Sequence, residues 1–196
     1  MTEIPTSGSD ALLVPSNLFV LAELHAMKID GVLWPIIGDA FRSVAVAESA
    51  QLRAAALAHH VPAGLAQRAA LSQLSAAWVY GCAPPPEVIA LVQDRSGKST
   101  SLPPFSGCTL REVYLNTFDV QPIGEVLVTS PLRTALDVAR TAPHGLARDV
   151  LLRMSSVPSL HCPLGRIRQA LGIAVHVPGK IRGQALLAEL IEGHAS

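Results

Sequence analysis

Residues 128–140 read VTSPLRTALDVAR and predict the point where a strand ends and a helix begins. The run VLVTS is β-branched and closes on hydroxyl residues, which favours a strand followed by a helix cap. Ser130 occupies the expected N-cap position, and Pro131 follows at the first helical position, where a missing N–H costs nothing. The helix then carries an apolar stripe at i, i+3, i+4 and i+7, formed by Leu132, Ala135, Leu136 and Ala139. We expect this stripe to face the core.

Three charged residues, Arg133, Asp137 and Arg140, lie on the opposite flank of the same helix. Their i, i+4 and i+7 spacing allows ion pairs along the helix. General acid–base catalysis would need a titrating partner, and this helix contains no histidine and no second carboxylate. We interpret Arg133 and Asp137 as structural groups that bridge the helix to neighbouring backbone. A binding surface and a catalytic role are the alternatives.

The charge balance argues against a global attraction to nucleic acid. Fifteen basic and fifteen acidic residues give a net charge of zero, so no overall field draws the chain to DNA or to an acidic membrane. Only 4% of the residues are aromatic, which leaves few rings for stacking on single-stranded nucleic acid. Residues 140–196 nevertheless hold seven basic and three acidic side chains, a net charge of +4. The candidate nucleic-acid contacts are therefore Arg166, Arg168, Lys180 and Arg182, with a solvated face as the alternative.

The cysteines and the hydropathy pattern predict a soluble cytoplasmic protein without a membrane partner. Three widely spaced cysteines do not form a disulfide framework and fit a reducing compartment. No basic-then-apolar leader opens the chain. The most apolar early run, residues 11–24, is broken by a proline, an asparagine and a glutamate, so it cannot span a bilayer.

The order of patterns along the chain predicts an α+β fold with a small mixed sheet flanked by helices. Residues 1–16 are rich in Thr, Ser, Gly and Pro and are expected to form a flexible leader. Residues 17–46 predict a helix and a hairpin, and residues 47–196 an α+β domain whose last third is helical.

Individual elements follow from caps, turns and periodicity. Asn17 is expected to cap a helix that reaches about Lys28, and a Gly38-Asp39 turn predicts a hairpin whose first strand Pro35 confines to an edge. Strands are predicted within residues 87–93, 108–115 and in a hairpin around Gly124. Helices are predicted for residues 48–60, for a Ser72-capped segment ended by Gly81, and for 131–141, 145–154, 164–171 and 180–193.

Other reactive residue types suggest no catalytic residue, no cofactor and no metal site. His59 and His60 end a helix, where a cation favours the terminal carbonyls. His161 and Cys162 have no second ligand pair at zinc-like spacing. The segment DRSGKS lacks the earlier glycine and the following helix of a phosphate-binding loop, so a turn is expected there.

Three segments, LRAAALAHHVP, LSQLSAAWVYG and VTSPLRTALDVAR, occur in an order that resembles the actinobacterial branch of the AbiE-type abortive-infection antitoxins of type IV toxin–antitoxin systems. The resemblance covers residues 31–141 and extends to the stretch PGKIRGQALL at 178–187. The residues that carry it are Ser75, Trp78, Gly81, Thr129, Ser130, Pro131, Arg133, Thr134, Asp137 and Arg140.

That resemblance implies a non-enzymatic regulator in two parts. A winged helix-turn-helix would bind operator DNA, and an α+β antitoxin domain would neutralise a nucleotidyltransferase-type toxin, with the motif residues as structural markers. Residues 17–45 supply one helix and a hairpin in an acidic surrounding, whereas a winged helix needs about three helices and a basic recognition helix. The DNA-binding module is therefore expected to be reduced, or no longer to bind DNA. Some relatives continue into a repair-endonuclease-like fold, and this chain lacks the Glu/Asp/Lys constellation for metal-assisted cleavage.

The leading hypothesis is thus an antitoxin-like regulator of a toxin–antitoxin or phage-defence system, acting through DNA, protein, or both. The alternative is a nucleic-acid-acting enzyme, or the remnant of a nuclease-associated protein, with Asp137, Arg133 and His144 as its polar cluster. A further alternative is an interaction scaffold that forms a homodimer through the Leu- and Ala-rich segment 184–194.

Overall fold

The computed structural model describes residues 11–96, 101–175 and 177–194, and within them the chain forms an α+β fold. The strands are β1 (Leu12–Leu13), β2 (Leu33–Ile37), β3 (Ala40–Ser43), β4 (Ala69–Leu71), β5 (Ile89–Asp94), β6 (Cys108–Val113), β7 (Val120–Ile123) and β8 (Val126–Thr129). The helices are α1 (Leu21–Ile29), α2 (Ala50–His59), α3 (Gln73–Val79), α4 (Pro131–Thr141), α5 (His144–Ser156), α6 (Leu164–Ile173) and α7 (Lys180–His194). No helix in the described ranges is both long and apolar enough to cross a membrane.

The first four elements build a small N-terminal module around a three-stranded sheet in the order β1-β3-β2. The predicted hairpin is confirmed, with Gly38 at a φ of 55°, and Pro35 lies on the edge strand β2 as expected. The interior of the module is formed by Leu24, Leu33 and Phe41.

Two predictions for the N-terminal module were wrong. The expected leader does not include Leu12 and Leu13, because these residues pair with β3; residues 1–10 lie outside the described ranges. Helix α1 begins at Leu21 and has Val20, not Asn17, at its N-cap. The Glu23 carboxylate accepts a 2.9 Å hydrogen bond from the Val20 N–H. This bond satisfies the backbone amide at the N-cap and helps to fix the start of the helix at Leu21.

The second sheet has five strands in the order β6-β5-β4-β8-β7. Its central strand, β4, pairs antiparallel with β5 and parallel with β8. Strand β4 is not predictable from the local sequence, because two of its three residues are alanine and a run of three is too short to show a periodicity. All three residues are buried, and the segment pairs with β5 on one edge and with β8 on the other. This tertiary setting makes it a strand.

Helix α4 lies directly after β8 and packs on α3, α5, α6 and α7. The predicted helices are confirmed, and α4 has the predicted bounds. Two glycines let the C-terminal segment approach α4 closely. A Cβ on Gly183 would lie 3.3 Å from the Ala139 carbonyl oxygen, and a Cβ on Gly179 (φ 76°) only 2.5 Å from that of Arg140.

Candidate functional site

The junction between β8 and α4 is held by threonine side chains. Thr134 Oγ1 donates a 3.0 Å hydrogen bond to the Thr129 carbonyl oxygen and lies 2.7 Å from Thr129 Oγ1. Ser130 is at the N-cap and Pro131 at the first helical position, as predicted. The Ser130 side chain makes no cap hydrogen bond, however. The carbonyl oxygen of Ser130 accepts the first hydrogen bond of the helix, from the Thr134 N–H, as an N-cap residue does.

The carboxylate of Asp137 lies between two guanidinium groups. Arg133 Nε donates to Asp137 Oδ2 at 3.0 Å, and Arg140 Nη2 donates to Asp137 Oδ1. Asp137 is only 5% exposed, so it does not lie on a solvent-facing flank as the helical spacing suggested. Arg133 Nη1 also lies 3.2 Å from Asp119 Oδ2, in the loop before β7. A buried carboxylate is tolerated here because two opposite charges and their hydrogen bonds compensate it.

Arg140 ties α4 to the chain that leads into α7. Its Nε donates to the Leu136 carbonyl at 3.2 Å, and its Nη1 donates to the Pro178 carbonyl at 3.3 Å. Arg182 donates in turn to the Ala142 carbonyl just past the end of α4. Arginines of the 128–140 motif and of the 178–187 stretch therefore bridge the same two segments.

The second motif is packed against the first. Ser75 Oγ accepts a 2.9 Å hydrogen bond from the Ala90 N–H of β5, and Trp78 is buried in the main core. Gly81 follows α3 with a φ of 77°, the left-handed conformation that was predicted to end this helix. The Tyr80 hydroxyl donates to the Thr129 carbonyl at 2.7 Å, and burial raises the pKa of this phenol.

A cavity of about 140 Å³ lies beside the Asp137 ion pairs. Its walls come from α4, from the start of α3 and from β5 and β6, and its polar lining includes Ser72, Arg111, Arg133, Asp137, Arg140 and Thr141. Sequence reasoning missed Ser72 and Arg111 as members of this site. No sequence pattern indicates them. Arg111 lies on β6, and it comes to the same cavity as α4 only because β4, β5 and β6 pair in one sheet.

The four predicted nucleic-acid contacts are placed in two ways. Three of them donate to backbone carbonyls: Arg166 to His161 at 2.7 Å, Lys180 to Gly172 and Ala174 at 2.7 and 2.6 Å, and Arg182 to Ala142 just past α4. Arg168 is exposed and makes no hydrogen bond or ion pair within the described part of the chain. The three bonded cations therefore also fasten the ends of C-terminal helices.

Of the polar cluster considered for an enzyme, Arg133 and Asp137 contact each other, whereas His144 pairs with Glu189. His144 Nε2 lies 3.3 Å from Glu189 on the exposed surface between α5 and α7, while the Asp137 oxygens contact Arg133 and Arg140. In the described ranges, no group of three or more His, Cys, Asp or Glu residues is arranged to hold a metal ion.

The histidines at the end of α2 face the N-terminal module. His59 and His60 point Nε2 toward Asp39 Oδ1, at 3.7 and 3.4 Å. The interpretation of this pair as a helix terminus did not anticipate Asp39, which the hairpin brings to them.

Comparison with known proteins finds distant likeness among solved structures. No family model and no curated protein matches the chain. Among solved structures, the RV2827C protein from Mycobacterium tuberculosis aligns with 86% of this chain and 69% of its own, at 16% identity and a TM-score of 0.36. A likeness of that degree supports no argument about function.

Proposed function

We propose that the protein is a non-catalytic, cytoplasmic regulator of the antitoxin type, which acts by contacting a partner. The observation that carries this proposal is the engagement of both Asp137 oxygens by Arg133 and Arg140. These arginines are themselves bound to Asp119 and to the Pro178 carbonyl. A general acid or base must exchange a proton with a substrate, whereas this carboxylate is committed to holding α4 in place.

The resemblance to AbiE-type antitoxins gains support from the contacts between its motifs. Residues 71–81 and 128–140 are far apart in sequence, yet Tyr80 binds the Thr129 carbonyl and α3 packs on α4. Arg140 joins the third motif to the 178–187 stretch. Motif residues that contact one another in this way act as the internal supports of one domain.

The exposed face of the N-terminal hairpin favours a protein partner. Trp34 lies on the side of the hairpin opposite the buried Leu33 and Phe41 and is 57% exposed. Val32 and Val44, which are also exposed, are the next pair along the hairpin, joined by a hydrogen bond from the Val44 N–H to the Val32 carbonyl oxygen. We call these three residues the hairpin face. Exposed apolar groups that cluster on one surface are typical of protein contacts. On this proposal the partner is a nucleotidyltransferase-type toxin, with operator DNA and a second copy of the chain as further partners.

Co-expression with the product of the adjacent gene tests the proposal. The toxin alone should arrest growth, and the wild-type chain should relieve the arrest and co-purify with the toxin. A double variant, Trp34→Ser with Val44→Ser, should lose co-purification, while the control Tyr114→Ser changes an exposed aromatic outside the module and should retain it. If the neighbouring product is harmless, or is unaffected by this chain, the antitoxin assignment is refuted.

A gel-shift assay with the upstream DNA distinguishes regulation by DNA binding from regulation by protein contact alone. Salt-sensitive binding that weakens when Arg166, Arg168, Lys180 and Arg182 are neutralised would assign DNA binding to the C-terminal third. Binding that these substitutions leave unchanged would exclude that basic patch.

A further inference from the structure

The cavity beside Asp137 has a positive lining. Its charged residues are Arg111, Arg133, Arg140 and Asp137, a net charge of +2. Asp119 pairs with Arg133 from outside the cavity, and including it still leaves a net charge of +1. Guanidinium groups that converge on a partly enclosed space create a potential that attracts anions.

Arg111 is the cation of this group that no protein carboxylate compensates. It lies on β6, paired with Val92 of β5, and its side chain makes no hydrogen bond or ion pair within the described ranges. All five of its N–H donors are therefore available to a ligand. Arg133 has donors to spare as well, since only Nε and Nη1 are bound to Asp137 and Asp119.

A buried hydroxyl supplies a second, independent observation. Ser72 lines the cavity and is 1% exposed, and its Oγ has no hydrogen-bond partner in the described part of the protein. Although Ser72 occupies the N-cap of α3, its side chain makes no cap bond within the described residues, and the following Gln73 has a φ of 51°. An unpaired buried hydroxyl costs free energy that an acceptor in the cavity would recover.

We propose that this cavity binds a phosphate group, held by Arg111 and Arg133 and by the hydroxyl of Ser72. Arginine donors and a hydroxyl suit the oxygens of a tetrahedral oxyanion. The cavity volume of about 140 Å³ is roughly ten times the 10–15 Å³ that one water needs. The cavity therefore has room for such a group. Each of the three guanidinium nitrogens of Arg140 already donates, to Leu136, Asp137 or Pro178, so Arg140 is assigned a charge contribution rather than a direct contact. This site is independent of the proposed antitoxin function.

Isothermal titration calorimetry on the full chain tests the site, with inorganic phosphate and glycerol 3-phosphate as separate probes at constant ionic strength. Saturable one-to-one binding is expected for at least one probe. The preferred probe then distinguishes the free ion from a phosphate monoester as the ligand.

Three variants locate the binding. Arg111→Gln should weaken it at least tenfold without loss of folding, because this side chain makes no hydrogen bond or ion pair in the described ranges. Ser72→Ala should weaken it several-fold. Arg68→Gln removes the same charge from an exposed arginine outside the cavity and should bind within twofold of wild type. The proposal is overturned if neither probe binds saturably, or if Arg111→Gln and Arg68→Gln bind equally well.

Discussion

The hydroxyl of Tyr80 donates a 2.7 Å hydrogen bond to the carbonyl oxygen of Thr129, across 49 positions of sequence. The same hydroxyl accepts from Gln121 Nε2 at 3.0 Å. This one side chain therefore joins the end of α3 to the end of β8 and to the neighbouring strand β7.

Replacing Tyr80 with phenylalanine should lower the free energy of unfolding by about 1–2 kcal/mol, because the buried Thr129 carbonyl and the half-buried Gln121 amide each lose a partner. Urea denaturation followed by circular dichroism measures the effect, and an unchanged m-value would show that only stability altered. Tyr114 is exposed, so Tyr114→Phe should change stability by less than about 0.5 kcal/mol. Equal losses in the two variants would contradict a special role for the Tyr80 hydroxyl.

Substitution of Asp137 should lower the free energy of unfolding more than substitution of an exposed polar residue. Asp137→Ala leaves two half-buried guanidinium groups facing each other and should cost about 3–5 kcal/mol. The exposed Glu189, which pairs with His144, is the matched control, and Glu189→Ala should cost less than about 1 kcal/mol. A tolerated Asp137→Ala substitution, measured by urea unfolding, would contradict the docking role of this carboxylate.

The buried thiol of Cys162 should make the folded protein less stable at alkaline pH. Burial raises the pKa of this thiol to about 11, above its ordinary value of 9.0. Because the folded state holds the proton more tightly, the stabilisation is complete below pH 9 and is lost as the pH rises through 11. The free energy of unfolding should fall by about 2 kcal/mol over this window.

A Cys162→Ala variant tests the source of that slope. It should flatten the decline between pH 9 and 11, although Cys82 and Cys108, whose pKa values burial also raises, will keep part of it. An unchanged slope would show that the buried Cys162 thiol does not titrate in this range.

Two glycines near the C-terminal helices should respond to alanine with opposite signs. Gly179 has a φ of 76°, and an added Cβ would lie 2.5 Å from the Arg140 carbonyl oxygen. Gly179→Ala should therefore destabilise the fold by about 1–3 kcal/mol. An added Cβ on Gly172, in α6, meets no neighbouring group within 4 Å among the described residues, and Gly172→Ala should stabilise by about 0.5 kcal/mol. Thermal unfolding of the two variants side by side provides the check.

Local patterns in the sequence determined most of the elements. Pro131 and the spacing of Leu132, Ala135 and Ala139 placed α4 correctly, and Gly38 and Gly124 placed two hairpins. These features depend on backbone conformation and on periodicity, which neighbouring residues set without help from distant parts of the chain.

Only the tertiary structure decided the strand β4, the burial of Asp137 and the assembly of the cavity. A run of two alanines and a leucine becomes a strand because β5 and β8 offer hydrogen bonds on both edges. Asp137 is buried because Arg133, Arg140 and the loop holding Asp119 close around it. Each of these outcomes requires groups that are remote in sequence to meet, and a one-dimensional pattern does not record which distant groups will be neighbours.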